Sequence, residues 1–169
     1  MAEKEAAIFI IDLGASMGNC NNGRIESDLD WALRYLWDKI SAVVAASRKT
    51  LNVGVIGLRT RETKSTMEDD PGYENISVLQ ELGPMTMTAL KRLTELIRVS
   101  DTDNGNAISA VVLAIEMIAN FTKKLKYKRQ IYLITDGIGP IDADDLEDIA
   151  SKIDESGIEL TVLSVRAMS

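Results

Sequence analysis

Four apolar residues in succession, Ile8, Phe9, Ile10 and Ile11, run without alternation into Asp12. Such a run reads as a strand covered on both faces that delivers a carboxylate to its C-terminal end. Gln130–Asp136 (QIYLITD) repeats the design and is followed by Gly137. Leu51–Leu58 (LNVGVIGL) and Glu159–Val165 (ELTVLSV) are two further apolar strands. Between strands the period lengthens to three and four. Trp31, Tyr35, Leu36, Ile40, Val43 and Val44 form the stripe of a helix from about Asp28 to Ser47, with Arg34, Asp38 and Lys39 toward water. Ser27 with Asp30 resembles a capping box at its start. Ala107 to Phe121 is apolar on nearly every side, as a central helix packed by neighbours would be.

The remaining segments fill in the order. Arg59–Gly72 (RTRETKSTMEDDPG) is polar and ends in Pro-Gly, an exposed connection with Met67 as its single apolar side chain. Glu74–Leu82 alternates, and it follows the second strand with no room for a crossover helix, so it is expected as an antiparallel edge strand closed by Pro84. Thr86 or Thr88 caps a short helix carrying Leu90, Leu93, Leu96 and Ile97. The basic run Lys123–Arg129 reads as the solvated end of the central helix. A last helix spans about Asp142 to Glu155, with Asp144, Asp145, Glu147 and Asp148 in its early turns. Strands alternating with helices predict an α/β, Rossmann-like three-layer fold: a mostly parallel central sheet with one antiparallel edge strand and helices on both faces. The 169 residues fit a single domain, 1–169, and 46% apolar content supports its core.

Composition narrows the chemistry. The chain has 26 acids against 19 bases, a net charge of −7, which disfavours a standalone nucleic-acid surface. The lone Cys20 gives neither a disulfide framework nor a thiolate zinc site, and suits a reducing compartment. There is no apolar leader at MAEKEAA and no run near the ~20 apolar residues of a membrane span, so a soluble intracellular protein without a membrane partner is expected. Histidine is absent, which removes Ser-His, Cys-His and histidine-zinc sites. DLGASMGNCNNG matches neither G-x-G-x-x-G nor G-x-x-x-x-G-K-S/T, which argues against nucleotide binding.

Two parallel strands ending in Asp12 and Asp136 should bring these acids together at one sheet edge, where a cation, a proton or water must separate them. The loops at 12–16, 100–106 and 136–140 supply Asp12, Ser16, Thr102 and Asp136, hard oxygen ligands of the kind magnesium uses. As structural groups, the same acids would accept hydrogen bonds from loop N–H groups and from Ser16 or Thr102.

The spacing D-x-S-x-S, then Thr, then Asp resembles the metal-ion-dependent adhesion site of von Willebrand factor A domains. D-L-G-A-S keeps Asp12 and Ser16 but has Gly14 where that family places a ligating serine. Thr102 in T-D-N-G-N-A-I and Asp136 in L-I-T-D-G match its other ligands. The resemblance therefore implies a degenerate metal site without a resident cofactor, binding magnesium weakly at most. A narrower similarity runs along the chain. G-Y-E-N-I-S-V-L-Q-E-L, A-A-I-F-I-I-D-L-G-A-S-M, R-I-E-S-D-L-D-W and K-R-Q-I-Y-L-I-T-D resemble, in order, the edge strand, first strand, first helix and fourth strand of the N-terminal von Willebrand A-like domain of the larger subunit of the Ku heterodimer, of fungal type.

That resemblance implies a nuclear, non-enzymatic interaction module of a DNA-end-binding ring. Its expected partners are the small Ku subunit and short peptide motifs of end-joining and telomere factors, with DNA held only by a barrel absent from this chain. The family's domain continues beyond this chain into a further strand and helix, and its C-terminal arm is absent too, which implies a truncated piece. The family's groove for basic-hydrophobic motifs would fall at Met67, Tyr73, Asn75 and Ile76. Met is adaptable and Tyr joins an apolar ring to a hydrogen-bonding tip, which suits peptide capture. Two rivals stand beside this reading: an adhesion-type A domain taking a partner carboxylate through a metal, and a small hydrolase using the paired acids.

Overall fold

The unbroken apolar runs become the buried centre of a five-stranded sheet in the computed structural model, which describes residues 3–20, 23–45, 50–137 and 146–165. The strands are β1 (Glu5–Asp12), β2 (Leu51–Leu58), β3 (Ile76–Pro84), β4 (Lys128–Thr135) and β5 (Ile158–Ser164), in the order β3-β2-β1-β4-β5. β1 pairs in parallel with β2 and β4, β4 with β5, and β3 runs antiparallel to β2 at the edge. The α/β fold with one antiparallel edge strand is as expected. β3 begins at Ile76 rather than Glu74, because Asn75 takes a positive φ of 61° that ends the preceding turn.

Alternation along β1 divides the core. Phe9, Ile11 and Leu13 face helix α1 (Asp28–Ala45), while Ile8 and Ile10 face helix α3 (Ala107–Thr122). Helix α2 (Met87–Leu96) joins the first layer through Leu93, and α4 (Leu146–Glu155) the second through Ile149. Ser27 caps α1, its Oγ accepting the Asp30 N–H at 3.1 Å, and Thr86 caps α2, accepting the Ala89 N–H at 3.1 Å. Asn106 caps α3 through the Ile108 N–H at 2.9 Å.

Some details differ from the periodicity reading. The buried stripe of α1 is Leu29, Ala32, Leu33, Leu36 and Ile40, and the half-buried Trp31 and Tyr35 flank it. Arg24 lies 4.6 Å over the Trp31 ring and Lys39 5.1 Å over that of Tyr35, so the aromatic borders also hold cations. Leu96 of α2 is exposed. The basic run does not prolong α3, which ends at Thr122, and its last two residues already belong to β4. Arg129 nonetheless reaches back to the helix end, donating to Thr122 Oγ1 at 3.1 Å and to the Leu125 carbonyl at 2.9 Å. Ser47, and Asp142, Asp144 and Asp145 of the acidic helix, lie outside the described residues, as does the side chain of Val43.

Candidate functional site

Strand register assembles the acid site. Asp12 is opposite Leu58 on β2, and Ile11 is opposite Ile134 on β4. One residue further on, Arg59 and Thr135 therefore arrive on the two sides of the Asp12 carboxylate. The Arg59 guanidinium pairs with Asp12 Oδ2, Thr135 Oγ1 donates to the same oxygen at 2.7 Å, and the Gly14 N–H donates to Oδ1 at 2.9 Å. All of this is sealed from water: the side chains of Arg59 and Asp12 are 1% and 0% exposed.

Asp136 is also buried and accepts a 2.5 Å bond from Ser16 Oγ, while the Ser16 N–H donates to Asp103 Oδ1 at 3.0 Å. Thr102 Oγ1 accepts the Asn104 N–H at 3.0 Å within its own loop, and the Thr102 carbonyl takes the Ala15 N–H at 3.0 Å. Asp12, Ser16 and Asp136 thus converge at one edge, while Thr102 meets the neighbouring loop only through its carbonyl, on the Ala15 N–H. Burial pushes the Asp12 carboxyl above its ordinary 3.8; bonds from Thr135 and Gly14 and the Arg59 charge work against this, and nearby Asp136 adds to it.

Arg59 overturns the expectation of a wholly exposed connection after β2. Its φ of 62° is unusual for a residue with a side chain, and the conformation is held at both ends. The guanidinium is drawn onto Asp12, and the Arg59 carbonyl accepts Ser100 Oγ at 2.6 Å. Gly105 presses against it so closely that a Cβ there would sit 2.9 Å from Arg59 Cγ.

The guanidinium supplies the positive charge that paired acids require, in the place a divalent ion would claim. Gly14 tightens the case: a Cβ there would stand 2.8 Å from Asp103 Oδ1, 3.0 Å from Asp12 Oδ1 and 3.1 Å from Arg59 Cδ. A ligating serine would have to push Asp103 aside and crowd the Arg59 side chain, and with the guanidinium already on Asp12 these residues disfavour a metal centre of the adhesion type. Among the described residues no trio of acids or cysteine is arranged to hold a metal ion.

The proposed peptide-binding residues part company. Tyr73 is half-buried and borders a groove of about 400 Å³ between Pro71–Tyr73, Ile108 and Val112 of α3, and Asp148 and Lys152 of α4. Met67 is half-buried too, resting on the α3-side core rather than standing free. Asn75 shapes the loop, its Nδ2 donating to the Thr60 carbonyl at 2.8 Å. Ile76 is a correction: it is 0% exposed, opposite Leu58 in the sheet, and offers no surface to a peptide.

The sequence reading missed Arg59, Thr135 and Asp103. A signal existed for the first two, since each stands at the end of a strand that neighbours β1. Asp103 carried none, because its role depends on how the 100–106 loop folds over Gly14.

A mostly parallel five-stranded α/β sheet with acids at the ends of two central strands defines the class of domain. Residues 6–168 match the Ku70/Ku80 N-terminal alpha/beta domain, and the chain belongs to that family. It is 58% identical over 98% of its length to the ATP-dependent DNA helicase II subunit 2 of Neurospora crassa and 55% identical over 98% to that of Chaetomium globosum. With the Schizosaccharomyces pombe protein of that name it shares 35% identity over 98% of its length. The chain spans 23%, 23% and 24% of those three proteins.

Proposed function

We propose that this chain is the von Willebrand A-like interaction domain of the larger subunit of a nuclear Ku heterodimer, and that it recruits end-joining and telomere factors by docking short peptides. The groove at Tyr73 carries this reading. It sets an aromatic ring and the apolar Ile108, Val112 and Ile149 beside Asp148 and Lys152, a floor for an apolar side chain with one acid and one base at its rim for the polar groups of a peptide. The net charge of −7 favours the encounter with a basic peptide and opposes independent DNA binding, so DNA contact falls to other parts of the protein.

A non-enzymatic role agrees with the acid site, where Asp12 is engaged by Arg59 and Thr135 and Asp136 by Ser16. The adhesion-type alternative is disfavoured by the same arginine. Peptides from end-joining factors, titrated against the chain with and without EDTA, test the proposal. Binding should ignore EDTA, and Tyr73→Ala should weaken it at least about tenfold, a loss of ~1.4 kcal/mol, with the circular dichroism spectrum retained. Undiminished binding by a folded Tyr73→Ala chain would move the site elsewhere.

A further inference from the structure

On the α2 side of the sheet edge lies a groove of about 820 Å³ that shares no residue with the Tyr73 groove on the α3 side. Residues 60–64 after β2, residues 77–79 of β3 and residues 92–101, from α2 into the loop that follows it, form its walls. Its apolar part is continuous with the core. Buried Leu13 and half-buried Leu79 belong to the α1-side core, and Leu96 and Val99 extend that surface outward, 44% and 38% exposed. Leu93 and Ile97 of the same segment are buried, so Leu96 is left on the open side of α2, and Arg92, one helical turn before it, shares its face.

The charge of the groove runs against that of the chain. Arg61, Lys64, Arg92 and Arg98 line it together with Glu62, Glu95 and Asp101, whereas acids outnumber bases by 26 to 19 in the whole sequence. One of those acids is already engaged, since Arg61 Nη2 holds Asp101 Oδ2 at 2.5 Å. Three of the cations are not. Arg92 donates to the neutral Gln80 amide oxygen and Arg98 Nε to the Glu95 carbonyl at 3.0 Å, and among the described residues neither arginine nor Lys64 forms an ion pair. Cations beside an exposed apolar pair suit a ligand that brings carboxylates and an apolar side chain together. A nucleic-acid strand fits less well: no aromatic ring lines the groove for a base to stack on, Glu62 and Glu95 oppose a run of phosphates, and a chain of net charge −7 repels a long polyanion.

We propose that this groove docks a short acidic segment of a partner protein, with a Leu-sized apolar side chain on Leu96 and Val99 and neighbouring Asp or Glu residues on Arg92, Arg98 and Lys64. The inference goes beyond the docking at Tyr73 and does not depend on it.

A phage-displayed library of random peptides about twelve residues long, made without Lys and Arg and selected on the full chain, tests this. Selection should enrich Asp or Glu next to a large apolar residue. A synthetic copy of the enriched peptide should bind Arg92→Gln/Arg98→Gln about three- to tenfold more weakly, the range of one or two exposed ion pairs, and Leu96→Ser at least about threefold more weakly. All three positions are exposed, so both variants should keep the circular dichroism spectrum and melting temperature. Binding to the wild-type chain should also weaken as salt is raised, and Tyr73→Ala should leave it unchanged. No enrichment of acids over the starting library, binding indifferent to salt or to both groove variants, or binding lost in Tyr73→Ala overturns the inference. An oligothymidylate of about twelve nucleotides that binds as tightly as the peptide, through the same arginines and without regard to Leu96→Ser, overturns it as well and makes the groove a general anion surface.

Discussion

Arg59 and Asp12, 47 residues apart in sequence, form an ion pair that the sheet register imposes and that is sealed from solvent. A buried pair of this kind contributes little beyond well-packed apolar side chains, yet removing one partner strands the other. Arg59→Met should therefore destabilise the chain by about 3–5 kcal/mol, with Asp12→Asn also destabilising. Urea unfolding of both single variants and of Asp12→Asn/Arg59→Met provides the check. The double variant should lose at least about 1 kcal/mol less than the sum of the singles, because contacting residues couple. Additive losses would mean that the two side chains act independently.

That pair also marks the boundary of what was legible in the sequence. The strands and helices were readable because Ile8–Ile11 and Ala107–Phe121 carry their burial in their composition. Convergence of Asp12 with Asp136 followed from parallel strands. Arg59 stayed hidden because RTRETKST reads as solvent-exposed at every position, and only the neighbouring strand end converts its first residue into an internal cation. Ile76 was misplaced because the resemblance set the groove at the start of an edge strand, where one face is open, while pairing with Leu58 and packing on α3 put this side chain on the closed face.

Restoring the serine that adhesion sites carry should harm this domain. Gly14 has a φ of −60°, so backbone conformation tolerates a side chain and the obstacle is packing alone. Gly14→Ser should cost about 1–3 kcal/mol, as overpacking does elsewhere. Calorimetry with magnesium should detect no binding to either chain. The wild-type melting curves in magnesium and EDTA should nearly coincide, since even a ligand present at its Kd adds only ~0.4 kcal/mol. A rise of many degrees with magnesium would show that the guanidinium yields to metal.

Acidification separates two carboxyls of opposite sign. Asp12 is raised by burial, so the folded chain holds that proton more readily than the unfolded one; its contribution is fully present below 3.8 and is lost as pH rises through the folded value. Asp101 is lowered, first by the hydrogen bond from Arg61 and then by the Arg61 charge. Its contribution is present above 3.8 and is lost as pH falls through the folded value. The stability deficit of Asp101→Asn should shrink on going from pH 6 to the most acidic pH at which the chain stays folded, while that of Asp12→Asn should hold or grow. Unfolding free energies across this range decide it, and a shrinking Asp12→Asn deficit would contradict the assignment.

Tyr73 and Ile76, three residues apart, should fail in different ways. Ile76 is enclosed between β2 and the α3-side core, so Ile76→Ala leaves a cavity and should cost about 2–5 kcal/mol. Tyr73 is half-buried at the rim of its groove, and Tyr73→Ala should lower stability less while removing the ring on which a peptide would rest. Melting temperature and peptide affinity measured on both variants distinguish the roles. At a temperature where both chains remain folded, Ile76→Ala should retain near wild-type affinity and Tyr73→Ala should lose most of it. The reverse outcome would place the docking surface on the edge strand itself.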